Sequence, residues 1–144
     1  MATTRNANTH WEGSLQEGAG TVELASSGRG TFDVTWASRA EEANGKTSPE
    51  ELIAAAHSSC FSMALSNALA KAGSPPEKLE TSAAVTFQPG EGITGIVLTV
   101  VGTVPGMSAD DFQEAAEGAK TGCPVSQALK AVPITLEVQL QDAS

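Results

Sequence analysis

Tyrosine is absent from the 144 residues, and aromatic residues of any kind make up only 4%. A core built on aromatic stacks is excluded, so the interior must come from Ala, Val, Leu and Ile, within a hydrophobic content of 40%. That content, beside 17% charged residues, is globular rather than disordered. Basic residues are scarce: eight Lys and Arg stand against seventeen Asp and Glu, giving a formal net charge of −9 and a pI of about 4.5. So few cations cannot assemble a phosphate-binding surface, which argues against nucleic acid and against an anionic membrane as partners. No stretch reaches the ~18 apolar residues of a membrane span. The first eight residues are polar and contain no apolar signal region, so a cytoplasmic protein is expected. The length fits one domain over residues 1–144.

Cysteine is nearly absent as well. Cys60 and Cys123 are the only two, and they form no Cys-x-x-Cys, which excludes the local thioredoxin-type motif. Stable structural disulfides are rare in the cytosol, so a bonded pair there would be cycling rather than structural. Two readings stand side by side: a distant redox pair, or two inert thiols in a core, where free cysteine is often buried.

The N-terminal segment, residues 8–47, reads as β-rich. Residues 10–15 and 20–24 flank a Gly-containing hairpin signal, and 31–36 alternate like a strand after the turn at 26–30. Ser48-Pro49-Glu50-Glu51 is a helix start, with Ser48 as cap, Pro49 at the first helical position and Glu51 closing a capping box. Nothing breaks the helix before Gly73, so a central helix over 49–72 is expected, about 36 Å long. Leu52 to Leu69 carries no formal charge if His57 is neutral. Such a helix belongs in apolar surroundings, against a sheet and a second subunit.

The C-terminal segment, 78–141, reads as two strands (80–88 and 93–101), a helix from the Ser108 cap to about Lys120, a short helix from Cys123-Pro124, and a strand over 134–140. Strands and helices are segregated, which is the α+β class.

The chemistry centres on Cys60. At an ordinary pKa near 8.5 only about 3% of a thiol is ionised at pH 7, and an apolar helix lowers that further. A reactive Cys60 therefore needs a cation, and Arg39, between the last N-terminal strand and the helix, is a candidate. Glu50 would be the counter-charge for a buried arginine, yet it lies about 15 Å along the helix from Cys60 and about 80° around it. Either Arg39 bridges that gap or a neighbouring chain completes the site. Glu50 is equally readable as an acid favouring the helix dipole. His57 lies one turn before Cys60. It could be a base, or with Cys60, His10 and Cys123 part of a zinc set. The spacings match no zinc ribbon or finger, so a packed core histidine is preferred and no bound metal or cofactor is expected. Cys123, at a helix start where exposed N–H groups favour a thiolate, suits a resolving role or a helix–helix contact.

Pro49-Glu50-Glu51-Leu52-Ile53-Ala54-Ala55-Ala56-His57-Ser58-Ser59-Cys60-Phe61-Ser62-Met63-Ala64-Leu65 closely resembles the central helix of the OsmC/Ohr family of organic hydroperoxide reductases. Gly122-Cys123-Pro124-Val125-Ser126 resembles the second family motif. His10-Trp11-Glu12-Gly13 and His57 point to the OsmC branch. The resemblance implies an intertwined homodimer, with long central helices wrapped by antiparallel sheets and two active sites at the subunit interface. It implies Cys60 as the peroxidatic cysteine, Cys123 as the resolving one, Arg39 as the activating arginine (Arg29 being the alternative) and Glu50 as the acid that holds it. The implied cycle runs through a Cys60 sulfenic acid and a Cys60–Cys123 disulfide. An external dithiol of the dihydrolipoyl type, carried on a lipoyl-bearing protein or a small molecule, reopens the disulfide. An apolar pocket from Ile53, Phe61, Met63 and interface residues would favour organic hydroperoxides over H2O2. The other classes are a peroxide sensor and a structural dimer whose cysteines do not turn over.

Overall fold

The alternating N-terminal pattern folds into a meander of β1 (Asn8–Glu12), β2 (Ala19–Glu23) and β3 (Thr31–Val34), antiparallel throughout, with Val22 its buried residue. The computed structural model describes residues 1–142. The chain divides into two units, Met1–Leu52 and Ile53–Ser144, and the boundary falls one turn into the long helix.

The third strand ends earlier than the alternation of residues 31–36 suggests. Thr35 caps a short helix, α1 (Trp36–Ala40). Its hydroxyl accepts from the Ser38 N–H (3.1 Å), and the Ser38 hydroxyl accepts from the Thr35 N–H (3.0 Å). This reciprocal pair satisfies two donors at the helix start. Ser38 is buried, and its hydroxyl also lies 2.9 Å from the Thr47 carbonyl. Thr47 in turn donates its N–H to Asp33 and its hydroxyl to Glu51. The loop is thus tied at one end to β3 and at the other to the next helix.

That helix, α2 (Pro49–Lys71), starts and stops where its signals place it. Ser48 accepts from the Glu51 N–H at 3.1 Å, but the Glu51 carboxylate bonds Thr47 instead of closing a capping box. At the other end Gly73 takes φ +88°, and the N–H groups of Ser74 and Gly73 donate to Leu69 and Ala70. This is a left-handed glycine stop. Contrary to the expectation that no stretch is that long, α2 is long and apolar enough to cross a membrane by length and composition, an 18-residue window of it having a mean hydropathy of 1.2, because the small residues between its polar ones keep the average high. Within the unit Ile53–Ser144 its residues His57, Phe61, Leu65 and Leu69 are fully buried, as in a core helix.

The second sheet has the order β4 (Lys78–Gln88), β5 (Gly92–Thr103), β6 (Ile134–Gln141). β4 and β5 form an antiparallel hairpin, while β6 runs parallel to β5, so this sheet is mixed. A parallel neighbour needs a crossover, and here the crossover is α3 (Ala109–Gly122) and α4 (Pro124–Ala128). Ile96, Leu98 and Val100 of β5 point inward and join Phe61, Leu65 and Leu69 with Phe112, Ala116 and Ala119 of α3 in one core. Gly102 lets the Phe112 ring lie on the sheet, since a Cβ there would collide with it.

The period-2 burial of β5 makes a sharp prediction. Leu98→Ala should cost about 2–5 kcal/mol and its neighbour Val97→Ala less than about 1 kcal/mol, read from denaturant midpoints. A larger loss at Val97 than at Leu98 would mean that the strand is out of register by one residue.

Candidate active site

The cysteines, far apart in sequence, are brought together inside the unit Ile53–Ser144. Cys60 lies on α2 and is partly exposed, while Cys123 ends α3, opens α4 and is fully buried. Their thiols are within hydrogen-bonding reach of each other, both reduced. The Cys123 N–H donates to Ala119 and its carbonyl accepts from Gln127, which fixes the turn that carries the thiol. Pro124 follows at the first helical position. The Val125 N–H, which the start of α4 leaves without an intrahelical acceptor, is directed toward the Cys60 sulfur and favours its thiolate.

Burial pushes the Cys60 thiol up from its ordinary value, and the neighbouring Cys123 adds to the rise, while the Val125 N–H opposes it. The Val125 N–H, two residues after Cys123, thus acts on Cys60. The balance within this unit favours the neutral thiol. A thiolate at Cys60 needs a positive charge that these contacts do not supply.

A guanidinium is paired with a carboxylate in the unit Met1–Leu52. Arg39 on α1 binds Glu50 in the first turn of α2 through Nε (3.1 Å to each carboxylate oxygen) and Nη2 (3.0 Å to Oε2). The Glu50 side chain is 8% exposed and that of Arg39 31%. This is the planar, forked geometry that a guanidinium makes with a carboxylate. Arg29 lies exposed in the turn after β2, so Arg39 is the arginine that Glu50 holds. Beside the pair is a cavity of about 380 Å³, walled by Trp11, Leu15, Val22, Val34 and Trp36 with Arg39 among them. Of the residues that the sequence placed in a pocket together with interface residues, Phe61 faces the core and Met63 is 72% exposed, because the helical turn that buries Phe61 directs Met63 outward.

His57 is a core residue. It has no exposed surface, and its Nε2 lies 2.7 Å from the Ser126 hydroxyl on α4. Burial lowers its pKa below the ordinary 6.5. His10 sits on β1 against Glu12 at 2.8 Å. Among the described residues no group of three or more His, Cys, Asp or Glu is placed to hold a metal. The sequence did not single out Ser126 and Val125, which contact His57 and Cys60. The available signal was symmetry of spacing: His57 is one turn before Cys60 and Ser126 one turn after Cys123.

The sign of the His57 shift fixes a pH effect. Between its ordinary and its lowered pKa the unfolded chain carries a proton that the folded chain lacks. Stability therefore falls as pH drops through that window, by at most about 1.4 kcal/mol per pH unit. His57→Gln should flatten the slope of unfolding free energy from pH ~6.5 downward. A slope identical to that of the unmodified chain would assign the acid sensitivity to other groups.

Comparison with known proteins agrees along the whole chain. A family model described as OsmC-like protein matches residues 42–137. Peroxiredoxin OsmC of Escherichia coli is 43% identical over 98% of this chain and 99% of its own length. Among solved structures, the organic hydroperoxide resistance protein OsmC of Legionella pneumophila superposes with a TM-score of 0.72 at 23% identity, covering 96% of this chain and 98% of that one. OhrB of Bacillus subtilis superposes with 0.64 at 22% identity, covering 94% and 98%.

Proposed function

The chain belongs to the OsmC family, and from that premise we propose that it is a thiol-dependent peroxidase reducing organic hydroperoxides to alcohols. One observation carries the reading: the only two cysteines lie within bonding reach, one reachable from outside and one buried behind it. That is the order a peroxidatic and a resolving thiol require.

The Cys60 thiolate attacks the terminal oxygen of R–OOH. The O–O bond breaks, the alkoxide leaves and takes a proton as R–OH, and the sulfur becomes a sulfenic acid. The Cys123 thiol then displaces that oxygen as water and closes a disulfide. An external dithiol of the dihydrolipoyl type, on a lipoyl-bearing protein or free, restores both thiols by exchange. Arg39, oriented by Glu50, supplies the positive charge that the Cys60 environment lacks and stabilises the charge developing on the peroxide oxygens. The assembly is a homodimer, which covers the uncharged outer face of α2 that leaves Met63 in solvent. The apolar cavity beside Arg39 suits an organic substituent better than H2O2. A cytoplasmic location fits a cycle that keeps its disulfide reducible.

Turnover of cumene hydroperoxide with dihydrolipoamide should greatly exceed turnover of H2O2, and Cys60→Ser should abolish it. Retained activity in that variant would remove the central assignment. Cys123→Ser should complete one oxidation and then accumulate sulfinic acid, visible by mass spectrometry, whereas normal cycling would exclude Cys123 as resolver.

Arg39→Ala should slow the first step by about 10²–10³ with the fold intact, measured by rapid mixing. An unchanged rate would send the activating role elsewhere.

A further inference from the structure

The reaction as written uses two sulfurs and an arginine, and leaves a buried polar contact unexplained. His57 and Ser126 are respectively 0% and 4% exposed, and they meet at 2.7 Å across 69 positions of sequence. His57 Nδ1 has no hydrogen-bond partner among the described residues. A buried imidazole with one nitrogen unsatisfied is a poor stabiliser, because the unmade bond carries the full desolvation cost of that atom. An apolar side chain would fill the same place at less cost. The contact is thus better explained by the geometry it imposes than by stability.

That geometry is specific. His57 precedes Cys60 by one turn of α2, and Ser126 follows Cys123 by one turn of α4. Residues three apart share a helix face, so the hydrogen bond runs beside the sulfur pair and ties together the same two helices. We propose that the His57–Ser126 hydrogen bond is a positioning device for disulfide formation, holding the Cys123 turn where its thiol meets the oxidised Cys60. This rests on the two-cysteine peroxidase reading above. In the step concerned, the S–S bond forms and the S–O bond of the Cys60 sulfenic acid breaks. The oxygen leaves as water with the proton of the Cys123 thiol. A disulfide tolerates only a narrow range of separations and dihedral angles, and the competing event is a second peroxide that takes the sulfenic acid irreversibly to sulfinic acid. Holding the two helices in register biases that competition toward the disulfide. His57 and Ser126 are positioning residues; neither touches the peroxide.

The test uses the full chain and compares His57→Leu, Ser126→Ala and His57→Gln, in which the amide nitrogen of Gln reaches the place of Nε2. Rapid mixing with cumene hydroperoxide separates oxidation of Cys60 from closure of the disulfide. Oxidation should stay within about twofold, while closure slows about tenfold in His57→Leu and Ser126→Ala, the loss expected for one oriented hydrogen bond. Sulfinic acid should appear at about tenfold lower peroxide in those two variants. His57→Gln should recover most of the closure rate. The thermal midpoint of the double variant His57→Leu with Ser126→Ala should be unchanged or higher, which a purely structural role would not give. Equilibration in glutathione buffers gives a readout independent of peroxide, and the Cys60–Cys123 disulfide should become easier to reduce in the same two variants. If the unmodified chain cycles and closure is unaffected by His57→Leu and Ser126→Ala, the positioning role is overturned and the peroxidase reading stands. If peroxide never oxidises Cys60 in the unmodified chain, the peroxidase reading itself fails. The glutathione equilibrium then still decides whether the bond aligns the thiols.

Discussion

A helix with no charged side chain between Leu52 and Leu69 must be placed in apolar surroundings, and α2 finds them along the stripe His57, Phe61, Leu65, Leu69. These residues recur every four positions on one face. They meet the inward side chains of β5 and the small face of α3 in one continuous core. The rest of the unit follows from that contact. β5 must be central to present Ile96, Leu98 and Val100, so it needs a neighbour on each side. The chain supplies β4 by a tight hairpin and β6 by a helical crossover. The crossover passes through Cys123 between α3 and α4, and so the packing of α2 against it brings the second sulfur to the first.

The same burial creates the chemical difficulty. Removing Cys60 from water favours its neutral form, and a second thiol beside it adds to the effect. A single backbone N–H does not outweigh both. Arg39 and Glu50 form a separate charged pair within the unit Met1–Leu52. A carboxylate that is 8% exposed would be costly alone, and a guanidinium bound through two of its nitrogens compensates it. The pair is therefore a way of fixing where a guanidinium points. It fixes direction more than it adds net charge.

The sequence made the long elements readable because their signals are local. Ser48 and Gly73 bound α2 to within a residue, and Ser108 opens α3, each through a backbone hydrogen bond that neighbouring residues satisfy. Thr35 and Ser38 also form a local signal, but one made with serine where glutamate is usual, and the alternation of residues 31–36 concealed it. β6 read as a strand from its alternation, while its parallel direction depends on the crossover and has no local signature. The site was legible in pieces. Each cysteine lay in a recognisable motif, but their proximity, the forked Arg39–Glu50 contact and the bond between His57 and Ser126 all join residues distant in the chain. Spacing along α2 suggested that Glu50 and Cys60 cannot touch. That argument is sound for a straight helix, and it is the reason Glu50 acts on an arginine rather than on a sulfur.

The overall acidity of the chain, −9 at pH 7, invites the idea that a diffuse negative field suppresses the Cys60 thiolate. Magnitudes argue otherwise. At physiological salt the screening length is about 8 Å, so most surface carboxylates contribute little at the sulfur. Burial acts at contact range and is not screened. The balance at Cys60 is therefore local, set by desolvation, one thiol and one N–H against whatever cation reaches it. A site governed by so few contacts is sensitive to their alignment, and a buried hydrogen bond one helical turn away on both sides is the kind of constraint that can maintain it. On that view the polar pair inside the core and the thiol pair at its edge are two parts of one docking geometry between α2 and α4.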